Sequence, residues 1–156
     1  MDVRIIEFPA TRVAAIEHRG APALEHETAR RLIAWRIANR LPPDRYATYG
    51  LHYTDPRTTP PAEHRVDLCV APGSAGPEVA PNAHGVVAKT LPRTRCAVAR
   101  HHGSRDDVST ASYLAEVWLP TSGEQVGDFP IFFHYVDVGP DVGEEDMITD
   151  VYLPLR

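Results

Sequence analysis

Apolar positions along this chain change period twice, and the same succession of periods then returns in the second half. Residues 3–8 and 12–18 are rich in Val, Ile and Ala, are interrupted at Pro9 and end at Gly20. This predicts a strand bent or broken near the proline, which cannot donate to a ladder. Between Pro22 and Asn39, Leu24, Thr28, Leu32 and Trp35 recur at helical spacing, with Arg30, Arg31 and Arg36 mostly off that stripe, the pattern of an amphipathic helix. Leu41-Pro42-Pro43 stops it, since proline lacks a backbone donor and disfavours helix in the preceding residue. Strands near 46–53 and 65–71 follow, separated by a turn-rich stretch from Thr54 to Pro61. Residues 72–85 carry Pro72, Gly73, Gly76, Pro77 and Pro81 and read as a linker. The order then repeats: strand segments at 86–91 and 95–101, a helix near 106–119 and strands near 131–137 and 147–153. Ala111, Leu114, Ala115 and Trp118 form the second helix's stripe, Ser104, Asp106 or Asp107 is placed to cap it, and Pro120-Thr121-Ser122-Gly123 ends it.

Aligning the chain with itself at an offset of 83 lays Pro9-Ala10-Thr11-Arg12-Val13-Ala14 on Pro92-Arg93-Thr94-Arg95-Cys96-Ala97, His18-Arg19-Gly20 on His101-His102-Gly103, Trp35 on Trp118 and Asp67 on Asp150. An offset of 82 superposes Leu51-His52-Tyr53-Thr54-Asp55 on Phe133-His134-Tyr135-Val136-Asp137. Order and spacing preserved over four blocks indicate a duplication with one residue gained or lost. The expected fold is α+β: tandem duplicated strand-helix-strand-strand units with largely antiparallel sheets, one main helix per repeat, and pseudo-two-fold symmetry. One domain of 1–156 then contains two repeats, about 3–71 and 86–154, joined by the linker at 72–85, with a groove expected between the copies. Phe133 and Tyr135 share one strand face and His134 points to the other.

With 156 residues, the chain buries about 70% of its unfolded surface as one domain. A charged fraction of 24%, a hydrophobic fraction of 43% and a net charge of -5 exclude wholesale disorder. In the absence of a basic stripe they also argue against direct nucleic-acid binding. Apolar runs are too short to span a bilayer, and Asp2 and Arg4 do not begin a secretory signal, so no membrane association and a cytoplasmic location are expected. Cys69 and Cys96 lack CxxC spacing and are expected to be reduced core residues.

No catalytic constellation stands out. Ser104, Ser109 and Ser112 lack the Gly-x-Ser-x-Gly elbow, and neither a Gly-x-Gly-x-x-Gly nor a phosphate loop is present. His18/His101 and His52/His134 are explained by duplication and show no metal-ligand spacing, so neither a metal nor a cofactor is expected. Asp67 and Asp150 read as repeated strand residues, and Glu144-Glu145-Asp146 as a solvated turn.

The blocks Arg12–Gly20, Tyr53-Thr54-Asp55-Pro56, Thr59-Pro60, Glu63-His64-Arg65-Val66-Asp67, Trp118-Leu119-Pro120, Ser122-Gly123, Tyr135 and Ile148-Thr149-Asp150-Val151-Tyr152-Leu153-Pro154 resemble the GyrI-like, or SbmC-like, small-molecule-binding domain of the AraC effector-binding superfamily. The resemblance covers nearly the whole chain. It implies a ligand cavity between repeats and recognition of hydrophobic, often cationic compounds; some relatives are described as DNA gyrase inhibitors, and a few open cyclopropane-containing natural products. The family pattern often places a glutamate two positions before the strand tyrosine, where this chain has Phe133. Phenylalanine offers stacking without charge and moves the expectation towards neutral aromatic ligands. The expected ligand contacts are Phe133, Tyr135, Tyr152, Tyr53 and Trp118. The alternative is a protein-interaction module whose partner is DNA gyrase or a separate regulator. A hydrolase is the weaker third reading, with its carboxylate drawn from Glu17, Glu63 or Glu116.

Overall fold

The computed structural model describes residues 1–139 and 141–156. Its first strands, β1 (Val3–Phe8) and β2 (Thr11–Arg19), flank the predicted break at Pro9, and the break has a topological consequence. β1 pairs antiparallel with β6 (Thr94–His102), whereas β2 pairs with β4 (Arg65–Val70) and β5 (Val87–Leu91). The chain divides into two compact units, Met1–Ala10 with Pro92–Arg156 and the continuous segment Thr11–Leu91. Each unit contains the first strand of the other sequence repeat, and the crossovers fall at Pro9-Ala10 and Pro92-Arg93.

In the Thr11–Leu91 unit, hereafter the continuous unit, the sheet order is β3 (Thr48–His52), β4, β2, β5, all antiparallel. Helix α1 (Glu25–Ala38) covers one face. Thr28, Leu32 and Trp35 point inward as the stripe predicts, and Trp35 is 3% exposed among Ala14, Ile16, Leu41, Val70 and Val86. Two positions depart from the stripe. Leu24 precedes the helix in a 3-10 turn and is exposed. Arg36 is buried because its guanidinium donates to the Leu41 and Tyr46 carbonyls and to the Thr48 hydroxyl, tying the stop after the helix to β3. The segment 72–85 also packs within this unit. Val79 joins the core, and the Asn82 side chain donates to the Ala80 and Val86 carbonyls while accepting from the His84 and Val86 amides.

The other unit, hereafter the split unit, orders its sheet β1, β6, β8 (Ile148–Pro154), β7 (Phe132–Asp137), again antiparallel. Its helical segment runs over 109–122 in three parts: α2 (Ser109–Tyr113), a π-helical turn (Leu114–Trp118) and α3 (Leu119–Ser122), closed by Gly123 at φ 78°. The N-cap is Val108, which makes no side-chain cap bond, while Asp107, one residue further back, accepts the Ser109 amide at 2.9 Å. Ala97, Ala99, Leu114, Phe133, Val151 and Leu153 form the core beneath it. The fold is therefore α+β with one main helix per repeat, as the periodicity predicts. No helix among the described residues is long and apolar enough to cross a membrane. Both cysteines are free and buried, and burial raises both thiols, Cys96 to about 12.

Candidate functional site

Of the five expected contact residues, Phe133, Tyr135, Tyr152 and Trp118 belong to the split unit and Tyr53 to the continuous unit. Phe133 is 4% exposed within the split unit's core, and Trp118 and Tyr135 pack half-buried against that core. The Phe133 and Tyr135 rings meet edge to face, with centroids 6.2 Å apart. Tyr152 lies on the opposite sheet face. Val151 stands across from Phe133 and Tyr152 across from Phe132, and the Phe132 and Tyr152 rings stack at 4.8 Å with Phe8 edge-on to both.

Tyr53 belongs to the continuous unit and serves a charged network. Glu17 stands opposite Asp67 across β2 and β4, two like charges that repel unless bridged. Lys89 bridges them at 2.6 and 2.7 Å, Arg19 adds bonds at 3.1 and 3.2 Å, and the Tyr53 hydroxyl donates to Asp67 at 2.8 Å. Arg65 and Arg19 lie over the Tyr53 ring, 4.7 and 5.7 Å from its centroid. Burial, followed by the hydrogen bond to Asp67, lifts the Tyr53 hydroxyl to about 12. Burial alone would lower the Lys89 ammonium, but its bonds to Asp67 and Glu17 outweigh this and raise it. In the split unit Arg100 replaces Glu17 and pairs directly with Asp150 through two bonds, at 2.8 and 3.1 Å. Asp67 and Asp150 are thus held by cations on their own sheets. Glu17, one carboxylate considered for hydrolysis, is engaged in the same way.

The histidines divide by role. His18 Nδ1 meets the Thr28 hydroxyl at 2.7 Å, and His101 Nδ1 meets Thr110 at 2.8 Å, each joining the end of a strand to the start of a helix. His64 meets Glu25 at 2.5 Å through Nε2 and Thr54 through Nδ1, an arrangement that among the described residues occurs in the continuous unit alone. Burial, aided by the charge of nearby His64, holds His52 down to about 4. Among the described residues no group of three or more His, Cys, Asp or Glu side chains is arranged to hold a metal ion. An open cleft of about 460 Å³ lies at the start of α1, lined by Glu17, Arg19, Leu24, Glu27 and Arg31 over the His18–Thr28 pair.

Strand register corrects the alignment of the repeats. Leu51 stands opposite Asp67 and His134 opposite Asp150, while His52 faces Val66 and Tyr135 faces Thr149. With Asp67 and Asp150 equivalent, β3 and β7 correspond at an offset of 83, not 82. Tyr135 therefore matches His52, and neither Tyr53 with Tyr135 nor His52 with His134 is an equivalent pair. The single-residue shift lies in the helix instead. Thr28 and Thr110 make the same bond, and Leu32 and Leu114 are both buried, at an offset of 82. The π-turn at Leu114–Trp118 holds one more residue than an α-turn and restores 83 at Trp118. Trp35 and Trp118 are consequently equivalent in sequence but differ in burial.

A family model for the GyrI-like small molecule binding domain matches residues 1–156. This chain belongs to that family. It is 40% identical over 157 aligned residues to a probable transcriptional regulator, YgiV, of Escherichia coli K12, covering 99% of this chain and 96% of that protein. It is 24% identical to a DNA gyrase inhibitor of Erwinia billingiae, covering 99% and 97%. Among solved structures it resembles the C-terminal domain of EcmrR, with a TM-score of 0.70, 14% identity and coverage of 99% of this chain and 97% of that one. In a complex of EcmrR with DNA the match spans 57% of the EcmrR chain. The family match establishes a GyrI-like small-molecule-binding domain, and the structural likenesses establish its fold.

Proposed function

We propose that this GyrI-like domain binds a small, hydrophobic, aromatic molecule against the helix-covered face of the split unit, with Trp118, Tyr135 and Phe133 as the contacting walls. The observation that carries this reading is the unequal burial of the two tryptophans. Trp35 is closed into its core, whereas the π-turn leaves Trp118 half-buried beside Tyr135 over an apolar floor. Half-covered aromatic rings with a hydroxyl at the edge are what small-molecule sites use. Tyr152 supports this sheet from its other face, and Tyr53 serves the Asp67 network. The two reduced cysteines fit a cytoplasmic protein.

In a Trp35→Phe background Trp118 is the sole tryptophan reporter. Titration with hydrophobic dyes should change its emission saturably, and Tyr135→Ala should weaken the response about tenfold. Phe133→Glu should move preference towards cationic dyes by supplying a charge. The absence of any saturable change in the parent protein rejects the reading. The name of the Erwinia relative motivates a second reading, inhibition of DNA gyrase. Inhibition of supercoiling by purified chain, undiminished by Tyr135→Ala, would favour it.

A further inference from the structure

Among the described residues, the split unit carries one buried side-chain hydroxyl without a hydrogen-bond partner. Thr149 is 1% exposed, and among the described residues its Oγ1 makes no hydrogen bond. It lies on β8 between His101 of β6 and Tyr135 of β7, its cross-strand neighbours on the helix-covered face. His101 is already engaged, through Nδ1 with Thr110 and through Nε2 with the Ser104 carbonyl. The duplication supplies an internal control. The equivalent residue opposite His18 and His52 is Val66, also fully buried. Valine and threonine have nearly the same shape, so the fold is satisfied by a methyl where the split unit carries a hydroxyl. A buried hydroxyl left unmade costs free energy that the valine avoids.

This hydroxyl adjoins Tyr135, one of the three proposed ligand contacts, and the unit that holds it is the one with the π-turn. We propose that Thr149 is the polar anchor of the ligand site, donating its hydroxyl proton to a neutral acceptor, such as a carbonyl oxygen, on an aromatic ligand seated against Tyr135 and Trp118. The inference rests on the small-molecule reading and narrows the ligand class to uncharged aromatic compounds bearing one hydrogen-bond acceptor. Among the described residues of β6, β7 and β8 no carboxylate shares this face; Glu7 of β1 lies on it further along, opposite Arg95. Across β6, β7 and β8 the inward positions are Ala97, Ala99, His101, Phe133, Tyr135, Thr149, Val151 and Leu153, while Asp150 alternates to the other side with Arg100.

The test compares two fluorescent probes, 6-propionyl-2-dimethylaminonaphthalene, which has a carbonyl, and 2-dimethylaminonaphthalene, which lacks it. Thr149→Val should fold with a melting temperature at or above that of the parent. It should bind the carbonyl probe about tenfold more weakly, shift that probe's bound emission to the blue through loss of the hydrogen bond, and bind the other probe unchanged. Thr149→Ser should retain the parent's preference. Equal affinity of parent and Thr149→Val for the carbonyl probe, or equal weakening of both probes, overturns the role of Thr149 and leaves the small-molecule reading standing. Failure of the parent to bind either probe overturns both.

Discussion

The two units apply one plan to different ends. In the continuous unit an unbroken α-helix presses Trp35 into a closed core, and the opposite sheet face is spent on a charged network in which Lys89 and Arg19 hold Glu17 and Asp67 together. In the split unit a π-turn leaves Trp118 half-buried, a direct Arg100–Asp150 pair replaces the network, and Phe8, Phe132 and Tyr152 pack together on the same sheet face. Features present in both copies, such as the His–Thr bonds and the buried leucines, are what the fold requires. Features present in one copy are where function has room to differ, because the other copy shows that the fold stands without them.

The largest test of this comparison concerns which segments form a unit. β2 takes β5 as its outer neighbour, so residues 11–91 contain a complete sheet and helix, whereas the sequence repeat 3–71 lacks β5 and carries β1 without its partner β6. Expressed separately, residues 11–91 should unfold cooperatively in a thermal melt monitored by circular dichroism, and residues 3–71 should show no cooperative transition. Equal folding of the two segments would mean that strand exchange is not part of what defines a unit.

Next in size is the contrast between the tryptophans. Truncating a buried tryptophan to alanine removes a large packed ring and leaves a cavity, at a cost of about 3–5 kcal/mol. Trp35→Ala should lose that amount in urea unfolding. Trp118→Ala should lose less, about 1–2 kcal/mol, because the ring is only partly buried against its core. Equal losses would remove the argument that the π-turn releases Trp118 from the core.

A smaller difference concerns pH. His52 in the folded continuous unit is held down to about 4, against an ordinary value of 6.5. Between those values the unfolded chain binds the proton and the folded chain does not. Stability from this group is therefore complete above about pH 6.5 and falls as pH drops towards 4, by up to about 3 kcal/mol. In the split unit burial also lowers His134, but Asp150 opposes it. Urea midpoints measured from pH 7 to 4 should flatten more in His52→Gln than in His134→Gln.

Much of this architecture was legible in sequence because it rests on short-range patterns. The period-3.6 stripe around Leu32 and Trp35, the strand alternation, the stop at Leu41-Pro42 and the duplication each leave a local trace. Pairing does not. Pro9 marked a break, but nothing local specified that β1 would join β6. The site was less legible for the same reason. Residue identities align Tyr53 with Tyr135 at an offset of 82, and only the ladder shows that the extra residue sits in a helix, where side-chain spacing tolerates a π-turn that sequence periodicity does not reveal. Lys89 was missed as the bridge between Glu17 and Asp67 because it arrives from β5, across the linker. Thr149 gave no signal beyond being threonine where its repeat mate is valine.

The smallest effect should be the same in both units, and that equality is its value. His18 and His101 each use Nδ1 for a threonine hydroxyl on the following helix and Nε2 for carbonyls of the intervening turn, Ala21 at 3.0 Å in one copy and Ser104 at 3.0 Å in the other. With Nε2 donating, the neutral ring leaves Nδ1 as an acceptor, so the threonine is the donor in both. Thr28→Val and Thr110→Val remove that donor without changing shape and leave a buried ring nitrogen unmet, which costs about 1–2 kcal/mol each. The sites lie in different units and, among the described residues, share no hydrogen-bond partner, so the double variant should lose about the sum. Urea unfolding of the two single variants and the double variant checks this. A loss confined to one unit would show that the bond is not a shared requirement of the fold, and would move that histidine into the class of features free to carry function.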